Sequence, residues 1–161
     1  MSILSYDRKK ALEYAKKWAF GRNPGFYNFE NIGGDCTNFA SQCIYAGAGV
    51  MNYTPVFGWF YRSVNDRTPS WTGVQYLYDF LVGNNGVGPF AEKAPIEKLE
   101  VGDIVQLGRA TDDFYHSPIV VGIERGNIYV AAHSYDVYYK PLASYNFERV
   151  RGIHILGVRT D

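Results

Sequence analysis

Gly33-Gly34-Asp35-Cys36-Thr37-Asn38-Phe39-Ala40-Ser41-Gln42-Cys43 is the stretch from which the chain is best read. A helix is predicted to start at Asp35-Cys36-Thr37. Apolar residues recur at Cys36, Phe39, Ala40, Cys43, Ile44 and Gly47, one face of a 3.6-residue period, and Gly47 and Gly49 stop it. Cys36 therefore stands at a helix N-terminus. The macrodipole and free backbone N–H groups there favour an anion, which lowers a thiol pKa and offers donors to an oxyanion. The competing reading is a small buried apolar residue, as free Cys often is. Cys43 lies mid-helix on the buried stripe and takes that second reading.

Outward from this helix, the N-terminal half is helical. Ser5 or Asp7 can cap a first helix whose stripe is Ala11, Leu12, Ala15, Trp18 and Ala19. Ser70 can cap a third, with Val74, Leu77, Tyr78 and Leu81 on one face, broken at Gly83-Asn-Asn-Gly86. The second half reads as strands: Asp103–Leu107, Ser117–Ile123, Ile128–His133, Tyr135–Tyr139 and Val150–Val158. Arg125-Gly126-Asn127 makes a hairpin of the second and third. Helices first and an antiparallel meander after them give an α+β fold, not the alternation of a doubly wound sheet.

The 161 residues fit one domain spanning 1–161. Lys+Arg and Asp+Glu are 16 each, so the basic excess of a nucleic-acid binder is missing, and no nucleic-acid partner is expected. No apolar run is long enough to span a membrane. The start of the chain turns charged too early for a signal peptide. On a helix, Cys36 and Cys43 would hold their Cα atoms roughly 10 Å apart, beyond the about 7 Å that a disulfide allows, so both are expected to be free thiols.

A nucleophilic Cys needs a base, and the chain offers His116, His133 and His154. His116 follows the polar Thr111-Asp-Asp113 loop at the mouth of the hairpin, and His133 ends its returning strand, so the two should meet at one end. Sequence-distant Cys and His are how a fold-assembled site looks. His154 sits between Ile153 and Ile155 and reads as a surface residue. Cys-x-x-Cys, His-x-x-x-His and His-Glu-x-x-His are all missing, which argues against a metal. No dinucleotide or phosphate loop motif is present, and no cofactor is expected.

Asp-Cys-Thr-Asn-Phe-x-Ser-Gln at 35–42 resembles the putative amidase domain family of bacterial proteins, grouped with papain-like NlpC-type and CHAP cysteine hydrolases. Ser70-Trp71-Thr72-Gly73, Gly102-Asp103-Ile104-Val105-Gln106-Leu107, His116-Ser117 and Ala131-Ala132-His133-Ser134 also resemble it. The resemblance implies a papain-like fold with N-terminal helices packed on a C-terminal antiparallel sheet. It implies Cys36 as nucleophile, His116 as base and His133 as the residue that orients the imidazole, with Ser134 or Asp136 as alternatives for that last role. NlpC-type enzymes commonly carry Ser-Gly after the Cys; Thr37-Asn38 here implies a different groove.

The implied reaction is acyl transfer through a thioacyl-enzyme, acting on peptide of the bacterial cell wall. The Cys36 N–H and a donor from the Tyr27-Asn28 loop would form the oxyanion hole, with Asp35 as a helix cap or loop-fixing residue. A monomer is expected, as a secreted or envelope domain of a larger protein, with a cytoplasmic home left open by the lack of a signal peptide.

Aromatic residues make up 17% of the chain, with 14 Tyr, 10 Phe and 3 Trp. Trp59, Tyr61 and Trp71 are candidates for a substrate groove; the alternative is core. A catalytically silent module that binds glycan or peptide through such a groove is one competing function. An acyl transferase using the same Cys–His site is another.

Overall fold

Asp7 accepts a hydrogen bond from the Lys10 N–H at 3.0 Å and so opens the first helix, as its place before Arg8 suggests. In this computed structural model residues 1–110 and 113–161 are described; Thr111 and Asp112 of the polar loop before His116 lie outside the described residues. In chain order the elements are β1 (Ser2–Leu4), α1 (Arg8–Trp18), α2 (Cys36–Ala48), β2 (Tyr61–Ser63), β3 (Asp66–Arg67), α3 (Pro69–Thr72) and α4 (Val74–Gly83). They continue with β4 (Gly88–Ala94), β5 (Ile104–Gly108), β6 (Phe114–His116), β7 (Ile119–Glu124), β8 (Asn127–Ala132), β9 (Val137–Pro141) and β10 (Arg149–Thr160).

The fold is α+β. Among the described residues the main sheet has eight strands in the order β1-β10-β5-β7-β8-β9, with β4 also on β10 and β6 on β5, all antiparallel. It is not the simple meander read from the sequence. The last strand returns to the middle, where it pairs with β5 through Arg149–Ile153 and with β4 through Gly152–Arg159. Beyond Ile153 its edge leaves β5 and regains a partner at Val158, on β1. Asp103 fills that gap: its Oδ1 accepts the Ile155 N–H at 2.9 Å, and Arg8 donates to the Ile155 carbonyl at 2.7 Å.

The predicted strand from Ser117 is split. β6 ends at His116 and β7 starts at Ile119, with Ser117-Pro118 between them; Pro118 has no N–H to give a ladder. The hairpin of β7 and β8 forms as expected, with Arg125 and Gly126 both at positive φ (53° and 79°), which suits a tight two-residue turn. The third helix is likewise split. Gly73 is extended, so Pro69–Thr72 makes one short turn and the longer helix starts at Val74.

Helix α2 is the structural centre. One buried stripe was expected, but every residue from Cys36 to Ile44 is buried. The helix packs on α1, α3, α4, β4 and β8, so it has no solvent face in this stretch. Its polar residues must then find partners inside the protein, and they do. Asn38 donates to the Tyr27 carbonyl and to Asp35 Oδ1, both at 2.9 Å, and accepts from Trp71 Nε1 at 3.0 Å. Ser41 donates to the Trp71 carbonyl at 2.9 Å and accepts from Trp59 Nε1 at 3.2 Å. Gln42 accepts from the Tyr14 hydroxyl at 2.5 Å.

These bonds correct the reading of the aromatic segment. Trp59 and Trp71 are fully buried and Tyr61 is 8% exposed. The Trp59 and Trp71 rings lie 4.7 Å apart, and Tyr61 gives its hydroxyl oxygen to the Tyr27 N–H at 2.7 Å. They brace α2 from behind and form no groove. The exposed aromatic of that segment is Phe57, at 85%, beside a separate cavity with Tyr76 and Phe80.

Candidate active site

The turn before α2 is fixed by the Asp35 carboxylate. Its Oδ1 accepts from the Phe29 N–H at 2.8 Å and from Asn38, and its Oδ2 meets His133 Nδ1 at 2.5 Å and lies 3.4 Å from Arg22 Nε. It makes no cap bond to the first turn, so the cap expected of Asp35 is replaced by the loop-fixing role. Burial works to raise its pKa, but the hydrogen bonds from His133, Asn38 and the Phe29 N–H together hold it below the ordinary value. With Gly33 and Gly34 both at positive φ (81° and 94°), the chain turns sharply into the helix and leaves Cys36 as its first residue.

Cys36 is 9% exposed, and Cys36 and Cys43 are both free thiols. Its sulfur lies 3.7 Å from the Thr37 hydroxyl. The depressed pKa expected of a helix N-terminus is not found. Burial pushes the thiol up, and the donors from Ser117 and Thr37 offset only part of that.

The Thr37 hydroxyl donates to the Ser117 hydroxyl at 3.4 Å, which ties the start of α2 to the end of β6, whose last residue is His116. Cys36 and His116 line one cleft of about 400 Å3 with Tyr115, Ser134, Tyr135, Lys140 and Tyr145, and Gly33-Gly34 at its rim. The His116 ring lies 5.7 Å from the Tyr145 ring, centroid to centroid, and has no hydrogen-bond partner among the described residues. Burial first, and then the Lys140 charge, lowers its pKa to about 4. At neutral pH the pair is thus an uncharged thiol beside an uncharged imidazole, with the imidazole free to accept a proton.

His133 is not in this cleft. Its Nε2 lies 2.8 Å from the Trp18 carbonyl, its Nδ1 faces Asp35, and its ring stacks on Phe39 at 4.0 Å. Both nitrogens are occupied within the core, so no face is left to orient His116. Asp136 is also committed elsewhere, to Arg22 at 2.9 and 3.1 Å. Asn28 is exposed, accepts from Arg22 Nε and the Glu30 N–H, and is not among the residues that line the cleft. Ser134 does line the cleft, where its hydroxyl accepts from the Asp35 N–H at 3.3 Å. Ser134 and Tyr135 both hold positive φ (62° each), a strained pair of non-glycine residues at the rim. His154, read as a surface residue, is tied to buried Asp103 at 2.7 Å.

Lys140 and Tyr145 were missed in the sequence. Neither lies near a motif, and only the return of β9 and the following turn carries them to Cys36. Burial raises the Tyr145 pKa to about 12, with a further push from Cys36, so its hydroxyl stays protonated. Among the described residues no group of three or more His, Cys, Asp or Glu is placed to hold a metal ion. No described helix is long and apolar enough to cross a membrane.

The model of a family described as "Putative amidase domain" matches residues 5–156. The uncharacterized protein YhbB of Bacillus subtilis is 35% identical over 136 residues, covering 81% of this chain and 42% of that protein. The uncharacterized protein YjcM of the same organism is 23% identical over 141 residues, covering 83% of this chain and 32% of that protein. The chain thus spans less than half the length of these relatives. No solved structure matches it.

Proposed function

The chain belongs to the putative amidase domain family, and we propose that it is a papain-like, NlpC-type cysteine hydrolase that cleaves amide bonds in bacterial cell-wall peptide. The observation that carries this reading is the meeting of Cys36 and His116 in one cleft. A sulfur on the first turn of a buried helix, beside an unpartnered imidazole, is suited to nucleophilic attack.

In the proposed reaction His116 takes the Cys36 proton as the sulfur attacks the amide carbonyl and the S–C bond forms. Free N–H groups of the first turn of α2, beginning with that of Cys36, face the developing oxyanion. The C–N bond then breaks and His116 returns the proton to the leaving amine. Water enters, gives a proton to His116 and attacks the thioester, and the S–C bond breaks to release the acid. The thiol regains its proton from His116. Asp35, His133 and Asn38 hold the turn that presents Cys36; they are positioning residues.

Hydrolysis of purified cell-wall peptide by the wild type, Cys36→Ala and Cys43→Ala tests this reading. Loss of turnover in Cys36→Ala and its retention in Cys43→Ala is expected. Wild-type turnover in Cys36→Ala would exclude it. A silent binding module would hold the peptide equally well in all three and cleave it in none.

A further inference from the structure

Lys140 is half-buried in the cleft, and no carboxylate among the described residues lies within ion-pair distance of it. Its ammonium sits 4.1 Å from the Tyr145 ring centroid, the same ring that borders His116. Both Lys140 and Cys36 line that cleft. A partly dehydrated cation without a counter-ion is costly unless something supplies the negative charge. Arg22, by contrast, has Glu30, Asp35 and Asp136 around it, and Arg8 has Asp103 and Glu100. No lysine among the described residues has a carboxylate within ion-pair distance, but the others are exposed to water; Lys140 is the lysine that is half-buried, and its place in the cleft is what sets it apart.

We propose that Lys140 binds a carboxylate of the substrate, so that the site selects peptides bearing a free carboxylate next to the scissile amide. This rests on the reading of Cys36 as nucleophile and names the substrate class of that site. The pairing has a second effect. The Lys140 charge is one of the causes that keep His116 a weak base, and a bound carboxylate cancels it. Substrates with the carboxylate thus meet a stronger base than neutral ones do.

The test uses thiol alkylation and needs no known substrate. Iodoacetate and iodoacetamide attack the same sulfur and differ by one negative charge. The ratio of their rates at Cys36 is read by mass spectrometry in the wild type, Lys140→Gln and Lys140→Arg. Because each ratio is internal to one variant, changes in thiol reactivity cancel, and the Cys43 rates in the same digest show whether the variant has stayed folded. Lys140→Gln should lower the iodoacetate-to-iodoacetamide ratio about five- to tenfold at low salt, and Lys140→Arg should keep it. A ratio in Lys140→Gln within twofold of the wild type overturns the proposal. Failure of the underlying reading looks different: Cys36 would then react no faster than Cys43 with either reagent, and the carboxylate site would fall with it.

Discussion

His133 Nδ1 and Asp35 Oδ2 lie 2.5 Å apart, both side chains about 1% exposed, and Asp35 directly precedes Cys36, the proposed nucleophile. This buried pair, with the Phe39 ring stacked on the imidazole, holds the turn that aims Cys36. Removing one member takes a hydrogen bond to a charged group from a dry site while the other keeps its remaining partners, which costs about 1.5–3 kcal/mol. His133→Ala should therefore lose that much in urea unfolding, and Asp35→Ala a similar amount. A third catalytic residue would behave otherwise, with turnover falling at near-normal stability.

The same pair predicts a pH dependence. The Asp35 pKa is lowered in the fold, so its contribution is complete above the unfolded carboxyl value of about 4 and is lost as pH falls through the lower folded value. Urea midpoints across pH 2–5 should fall more steeply in the wild type than in Asp35→Asn.

His116 has the opposite origin and a separate window. Its folded pKa is about 4 against about 6.5 when unfolded. Between those values the unfolded chain binds more protons, so stability should rise as pH goes from about 4 to 6.5 and level off above. His116→Gln should flatten that slope. The ring resonances of His116 in the folded protein should titrate near pH 4, and a midpoint above 6 would contradict its burial beside Lys140.

Trp59 and Trp71 lie in the core, so Trp59→Ala and Trp71→Ala should each cost about 3–5 kcal/mol in stability. Peptide binding measured on the fraction that remains folded should be little changed. Asp103, which receives Arg8, the Ile155 N–H, the Glu100 N–H and His154, should be comparably intolerant: Asp103→Ala is expected to lower the urea midpoint and to free β10 amides for hydrogen exchange near Ile155.

The start of α2, the free thiols and the β7–β8 hairpin were legible because each has a local cause: a glycine pair, a helical spacing, a turn of Arg125-Gly126. The role of His133 was not. Its place at a strand end suggests proximity to His116, but which way its ring points depends on Asp35, Phe39 and the Trp18 carbonyl, which are remote in sequence. Lys140 escaped notice for the same reason. The short strands β1 and β4 lack a clear alternation, and they exist because the long β10 offers them its edges. The aromatic excess divides by burial, which composition cannot reveal: Trp59 and Trp71 brace the motif helix, and Tyr145 lies in the cleft.

The most direct test of the central claim is the covalent intermediate. The protein is mixed with an activated acyl-peptide ester, quenched in acid, and its intact mass and peptide map are recorded. A thioacyl adduct on Cys36, absent in Cys36→Ser and formed much more slowly in His116→Ala, is the predicted result. An adduct on Cys43, or hydrolysis of the ester at the wild-type rate by Cys36→Ser, would contradict the account.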